Sequence, residues 1–364
     1  MFTRTPLGRR ITAAALAAMA ATTLAACSSG GESPSGSDGA GNAARVALLL
    51  PEDSASRYEA ADAPYFTQKL KSLCPNCTVD YRNAKQDAAA QLAQATEALD
   101  QGAKVLVLTP VDSAAAAEIV SLAKSRSVPV ISYDRLVLGA AVDYYISFDN
   151  AKVGELQATA LLKALGDKVS AGPILWINGS PTDNNATLFK RGAHQVLDGK
   201  VKVAAEFDTP DWKPANAKAW ADKALAGLGG KVVGVYAAND GTAGAAIAAL
   251  KAAGYPAVPV TGQDAEVAAL QRLLSGEQYM TVYKAIQPEA EKAAELAFDL
   301  LNGHHPTASS TVDNKAGQVP SFLLDPVSVT RDQLSDTVIR DGFVTVASLC
   351  AGSYAQGCSA ASIG

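Results

Sequence analysis

Short apolar runs in this chain repeatedly end in small clusters of Asp, Asn and Arg. Residues 128–133 are followed by Asp134 and Arg135, and residues 174–178 by Gly179, Asp183, Asn184 and Asn185. Residues 232–238 end in Asn239 and Asp240, and Val260 is followed by Gln263 and Asp264. Carboxylates accept hydrogen bonds, Arg and Lys donate them, and Asn does both. Bonds to a charged partner are the stronger kind and fix orientation. In an open α/β sheet, ligands bind beyond the carboxyl ends of the strands. Clusters recurring at that place predict one convergent polar site. Asp and Asn are also good N-caps, so any one cluster is explained equally well by the helix after it. The whole set, with Arg and Lys beside it, favours a site.

The elements that must carry these clusters alternate strictly. Strands are expected at 45–50, 78–82, 104–109, 128–133 and 144–148. Helices at 58–73 and 87–101, and an Ala-rich helix capped by Asp112, lie between them. Ala88, Leu92, Ala95 and Leu99 share one helical face, and Gly102 stops that helix. After Asn150 the pattern restarts with helices at 151–165, 184–197, 214–228, 242–253, 265–274 and 288–301. Strands at 174–178, 202–207, 232–238, 258–261 and 279–283 separate them. Such alternation predicts parallel, doubly wound sheets. Two series in tandem predict two similar lobes. The strand runs are nearly all apolar, as strands covered on both faces require.

The ends of the chain carry other signals. Arg4, Arg9 and Arg10 precede an apolar stretch over 11–26, which reads as a secretory signal peptide. It ends in Leu24-Ala25-Ala26-Cys27, which resembles the bacterial lipobox. That resemblance implies cleavage before Cys27 and acylation of its sulfur, hence membrane anchoring. Residues 28–42 are mostly Ser, Gly, Pro, Asp and Glu, a flexible tether reaching roughly 20 Å. The net charge of −5 becomes −8 once residues 1–26, with three Arg and no acid, are lost. An acidic exported protein is a poor nucleic-acid binder, which wants basic patches. Apart from Cys27, Cys74, Cys77, Cys350 and Cys358 remain, an even number for an oxidising compartment. Of three possible pairings, the local one, Cys74–Cys77 with Cys350–Cys358, is favoured. The three histidines include the polar His304-His305 pair, and HExxH, GxSxG and Walker A patterns do not occur. Catalysis by paired carboxylates is disfavoured because each candidate Asp has a nearby Arg, Lys or Asn, which would hold it ionised.

Several segments together resemble bacterial D-xylose-binding proteins. They are Tyr133-Asp134-Arg135, YYISFDNAKVGELQ at 144–157, GSPTDNNA at 179–186, NDGTAG at 239–244, GQDA at 262–265 and MTVYK at 280–284. These proteins are the solute receptors of ABC sugar importers, in the ribose- and galactose-binding group. The resemblance runs from about Arg45 to Phe343. It implies the type I periplasmic binding protein fold, an α/β architecture of two Rossmann-like lobes joined by three hinge strands with sugar enclosed between. The lobes implied are 43–149 with 284–318 and 150–283 with 319–364, after a signal peptide over 1–26 and a lipidated tether over 27–42. The implied ligand contacts are Arg57, Tyr58, Asp134, Arg135, Asp183, Asn185, Trp212, Asn239, Asp264 and Lys284. Tyr58 stands where the family usually has Trp, and residues 52–56 diverge.

Three acids against three cations in that set suit a neutral ligand with vicinal hydroxyls, and Trp212 and Tyr58 offer apolar faces to its C–H groups. The expected function is therefore capture of D-xylose or a similar aldose for an ABC permease. The expected protein is a monomer held outside the cytoplasmic membrane by its lipid, without cofactor, metal, nucleic acid or enzymatic activity. A sugar sensor for a membrane signalling partner, a broader aldose receptor and a carbohydrate-acting envelope enzyme are the alternatives.

Overall fold

The computed structural model describes residues 44–364. The expected signal peptide, lipidated Cys27 and tether lie outside these residues. Strand β1 (Arg45–Leu50) is followed by α1 (Ala63–Leu73), β2 (Thr78–Asn83), α2 (Ala88–Asp100) and β3 (Ala103–Leu108). Helix α3 (Ala117–Ser125), β4 (Val130–Tyr133) and β5 (Tyr144–Phe148) complete the first series. The second series runs α4 (Asn150–Leu165), β6 (Pro173–Asn178), α5 (Asn184–Leu197), β7 (Lys202–Asp208), α6 (Pro214–Ala226), β8 (Gly234–Ala237) and α7 (Asp240–Ala252). Then come α8 (Val267–Ser275), β9 (Met280–Tyr283), α9 (Ile286–Leu301), β10 (Ser310–Asp313), β11 (Gln318–Leu324) and β12 (Val327–Thr330). Short helices α10 (Val346–Leu349) and α11 (Ala355–Ala360) end the chain.

The first lobe is a seven-stranded sheet in the order β10-β11-β5-β4-β3-β1-β2, parallel except for β10. Strand β1 shows why its sequence is continuously apolar. Val46, Leu48 and Leu50 feed one core, with α1 and α9, while Ala47 and Leu49 feed the opposite core, with α2 and α3. Successive side chains point to opposite faces, and both faces are covered. Strand β6 repeats this in the second lobe. Ile174 and Trp176 face α4 and α5, and Leu175 and Ile177 face α6 and α7. That sheet runs β7-β6-β8 and continues through single bridges at Val235–Val260 and Gln263–Val282 to β9 and antiparallel β12. Helices α4 and α5 approach closely because Gly154 and Gly192 lie at their crossing. A Cβ at Gly154 would stand 1.9 Å from the Phe189 carbonyl oxygen.

The chain crosses between lobes three times, from β5 into α4, from β9 into α9 and from β11 into β12. Three expectations are corrected here. Residues 258–261 do not form a strand but touch β8 through one bridge at Val260. Strand β11 pairs with β5, so residues 319–324 belong to the first lobe's sheet rather than to the second lobe. Asp112 accepts from the backbone of Ala114 and Ala115 and so caps a turn that precedes α3. The C-terminal segment packs Leu334, Val338, Val344 and Leu349 onto Leu270, Leu273 and Leu274 of α8. Both local disulfides, Cys74–Cys77 and Cys350–Cys358, are formed. Among the described residues, no helix is long and apolar enough to cross a membrane.

Candidate functional site

A cavity lies between the lobes, at the carboxyl ends of their strands. All ten residues singled out in the sequence line it. The loop after β1 brings Arg57 and Tyr58, and the loop after β4 brings Asp134 and Arg135. The start of α5 brings Asp183 and Asn185, and the turn before α6 brings Trp212. Asn239 and Asp264 follow β8 and the Val260 segment, and Lys284 sits at the second lobe crossing. Glu52, Ala55, Phe189 and Gln263 complete the wall.

The first-lobe wall is an ion network. Arg57 is buried. It donates to Asp62 Oδ1 at 2.8 Å, to Glu289 Oε2 at 3.0 Å and lies 3.4 Å from Asp134 Oδ1. Tyr58 OH donates to Asp134 Oδ2 at 3.1 Å, and Lys284 Nζ stands 3.6 Å from Asp134 and 3.9 Å from Asp264. Burial opposes ionisation of Asp134, yet Arg57, Lys284 and Arg135 outweigh it and hold its carboxyl well below the usual carboxylate range. Burial dominates at Glu289, whose carboxyl is pushed well above that range, helped by the nearby Asp134 charge.

The second-lobe wall is built from helix starts. Asp183 accepts from the Asn185 backbone N–H as the N-cap of α5, and Asn239 accepts from Thr242 as the N-cap of α7. Capping and site residence are thus the same placement for these two, not alternatives. Trp212 donates Nε1–H to Asp183 Oδ2 at 3.0 Å, and its ring lies so close to Gly179 that a Cβ there would meet it at 2.0 Å. Asp134, Trp212 and Asp264 hold left-handed backbone, with φ of 56°, 57° and 100°. Left-handed φ is uncommon outside Gly, with Asp among the residues that tolerate it best.

The lobes are closed on one another. Arg135 Nε reaches Asp183 Oδ2 at 3.0 Å, Asn185 Nδ2 donates to the Asp134 carbonyl at 3.0 Å, and Ser113 N donates to the Thr182 carbonyl at 2.9 Å. Two expectations change at this level. Asp183 and Asp264 are not held in the ordinary range by their cations, because burial outweighs Arg135 and Lys284 and raises both carboxyls. The wall also holds four acids against three cations, since Glu52 joins Asp134, Asp183 and Asp264. Glu52 lies two residues beyond β1, the same strand-end position that flagged the other clusters. Phe189 lies one helical turn beyond Asn185 on the same face, and Gln263 adjoins Asp264. Asp240, although beside Asn239, points away and accepts from Thr281 and Gln278. Among the described residues, no group of three or more His, Cys, Asp or Glu is arranged to hold a metal ion.

Comparison with known proteins agrees with this geometry. The periplasmic binding protein domain model matches residues 46–305. This chain belongs to the periplasmic binding protein family. It is 41% identical to the D-xylose-binding periplasmic protein of Escherichia coli (strain K12), over 82% of this chain and 90% of that one. It is 35% identical to a multiple sugar-binding periplasmic protein of Azospirillum brasilense, over 83% and 90% of the two chains. Among solved structures, an ABC transporter solute binding protein from Clostridium phytofermentans with bound β-D-glucose superposes with a TM-score of 0.78. Identity to it is 29%, over 84% of this chain and 99% of that chain. The type I periplasmic binding protein fold accounts for the two lobes, the three crossings and the cleft between them.

Proposed function

We propose that this protein captures D-xylose, or a closely related aldose, between its lobes outside the cytoplasm and delivers it to an ABC permease. The observation that carries this reading is the cavity wall, which combines polar groups from both lobes with the Trp212 and Tyr58 rings. Two acceptors on it, Asp134 Oδ1 and Gln263 Oε1, are buried without a hydrogen bond among the described residues, although Asp134 Oδ1 has charge partners in Arg57 at 3.4 Å and Lys284 at 3.6 Å. A buried acceptor left unpaired costs free energy, and ligand hydroxyls would satisfy both. The likeness to a D-xylose-binding relative supports the choice of sugar.

A ligand that touches both lobes favours the closed state, and only that difference in affinity shifts the population. Isothermal titration calorimetry against a panel of aldoses, paired with small-angle scattering, tests the reading. D-xylose is expected to bind most tightly and to shrink the radius of gyration, and to be recovered unchanged. Binding to none of the aldoses would overturn the receptor, and turnover of the sugar would make the protein an enzyme. A second reading, a broader aldose receptor, is favoured by the structural neighbours carrying glucose. Equal affinity and compaction with D-glucose would establish it. The lipid anchor rests on Leu24–Cys27 and the tether. Cys27→Ser is expected to release the protein from membranes, and retention at high salt would remove the anchor.

A further inference from the structure

Three buried cations line the cavity, an arrangement that would ordinarily invite an acidic ligand. Arg57 and Lys284 are already shared among Asp62, Glu289, Asp134 and Asp264. Arg135 is answered by one carboxylate from each lobe, and at shorter distances than Lys284: Asp183 at 3.0 Å and Glu52 at 3.3 Å. Glu52 is 2% exposed. Its Oε2 accepts from the backbone N–H of Ser54 at 3.1 Å and Ala55 at 3.2 Å and from the Ser54 hydroxyl, and its carbonyl accepts from Asn83 at 2.8 Å. The loop therefore locks Glu52 against Arg135, its one cation partner among the described residues.

We propose that Glu52 determines specificity by presenting Arg135 to the cavity already neutralised, so that the site takes neutral sugars and rejects sugar acids. This rests on the sugar-receptor reading above. A ligand carboxylate entering beside Glu52 and Asp183 would make three negative charges around one guanidinium. Its own desolvation would go uncompensated, and buried charges are tolerated only when paired. Discrimination of this kind works through a repulsive element built against the wrong ligand. Removing the Glu52 charge while keeping its shape frees one side of the guanidinium fork, which suits a carboxylate.

The test is Glu52→Gln, which keeps an acceptor for the Ser54 and Ala55 N–H groups. Wild type and variant are titrated calorimetrically at pH 7 with D-xylose, D-glucose, D-xylonate and D-glucuronate. D-glucose is the neutral match for D-glucuronate in size. The expected result is at least a tenfold gain in affinity for one of the two acids, with no gain for either neutral sugar. A smaller gain for both acids, or an equal gain for the neutral sugars, overturns the proposal. So does a wild type that binds the acids as tightly as D-xylose. Should circular dichroism show the Gln variant unfolded, Glu52→Met, of similar volume and uncharged, is held to the same criterion. A wild type that binds no aldose fails the receptor reading itself. A wild type that binds aldose while the variant gains nothing fails the role of Glu52 alone.

Discussion

The two walls of the cleft reach the same result by different physics. The first-lobe wall positions Arg57, Asp134, Arg135 and Lys284 through buried ion pairs, several drawn from residues far along the chain. The second-lobe wall positions Asp183 and Asn239 through the N-caps of their own helices, and Trp212 through a bond to one of those caps. A network holds a side chain only while every partner is present, whereas a cap holds it locally. The first wall should therefore be sensitive to changes at a distance and the second to changes in its immediate backbone.

The largest expected effect is at Arg135, whose pair with Asp183 at 3.0 Å is the shortest ion pair between the walls among the described residues. Arg135→Ala leaves Glu52 and Asp183 buried without their shared cation, at a cost of about 2–5 kcal/mol in binding. Calorimetry should find no measurable sugar binding while circular dichroism stays native. Near-wild-type affinity in the folded variant would break the view of Arg135 as the link.

Each lobe also carries one local disulfide away from the cavity, with sequence separations of 3 in the first and 8 in the second. Loop-closure entropy assigns about 2 kcal/mol to the shorter and about 2.6 kcal/mol to the longer. Replacing each pair by Ser should lower the melting temperature, more for Cys350 and Cys358, with sugar affinity unchanged. An affinity change from the Cys350 and Cys358 pair would mean that the C-terminal segment reaches into the site.

Gly179→Ala sharpens the contrast from the second-lobe side. Its Cβ collides with the Trp212 ring, and overpacking of this kind costs about 1–3 kcal/mol. Titration should show weaker sugar binding, because Trp212 must move and Asp183 loses the indole N–H among its donors. Unchanged affinity would mean that the ring does not help form the binding face.

The smallest effect expected is a pH dependence beside Asp264. Burial and the Asp264 charge raise the Glu266 carboxyl to about 7. A carboxyl raised on folding contributes stability that is complete below its unfolded value, about 4.5, and is lost as pH rises through about 7. Glu266 is partly exposed, so the loss is on the order of 1 kcal/mol. Thermal melts of the wild type should fall across that window, and Glu266→Gln should flatten the fall. A slope of the same size in the variant would assign the effect to another buried carboxyl, Asp240 first, which burial also raises.

The same contrast separates what the sequence determines from what tertiary structure decides. Apolar runs covered on both faces identify β1, β5 and β6 to within a residue, and α5 begins where Asp183 can cap it. The cap and the strand end are local signals, so Asp183, Asn185, Asn239 and Asp264 could be read directly. Strand β11 carries Pro320 and mixed polarity, which argue against a strand until its partner β5 is known. Glu289 bonds Arg57 from 232 positions away, and Asp62, one turn beyond Arg57, reads as an ordinary helix acid until both are seen buried. Glu52 obeys the strand-end rule, but its hold on Arg135 spans 83 positions. Local spacing therefore marked Asp134, Arg135, Asp183, Asn185, Asn239 and Asp264 as cleft residues, while Arg57, Tyr58, Trp212 and Lys284 came from the family resemblance. Only the folded chain decided which of their charges are already answered, because ion pairing across a buried cleft depends on distance in space and not along the sequence.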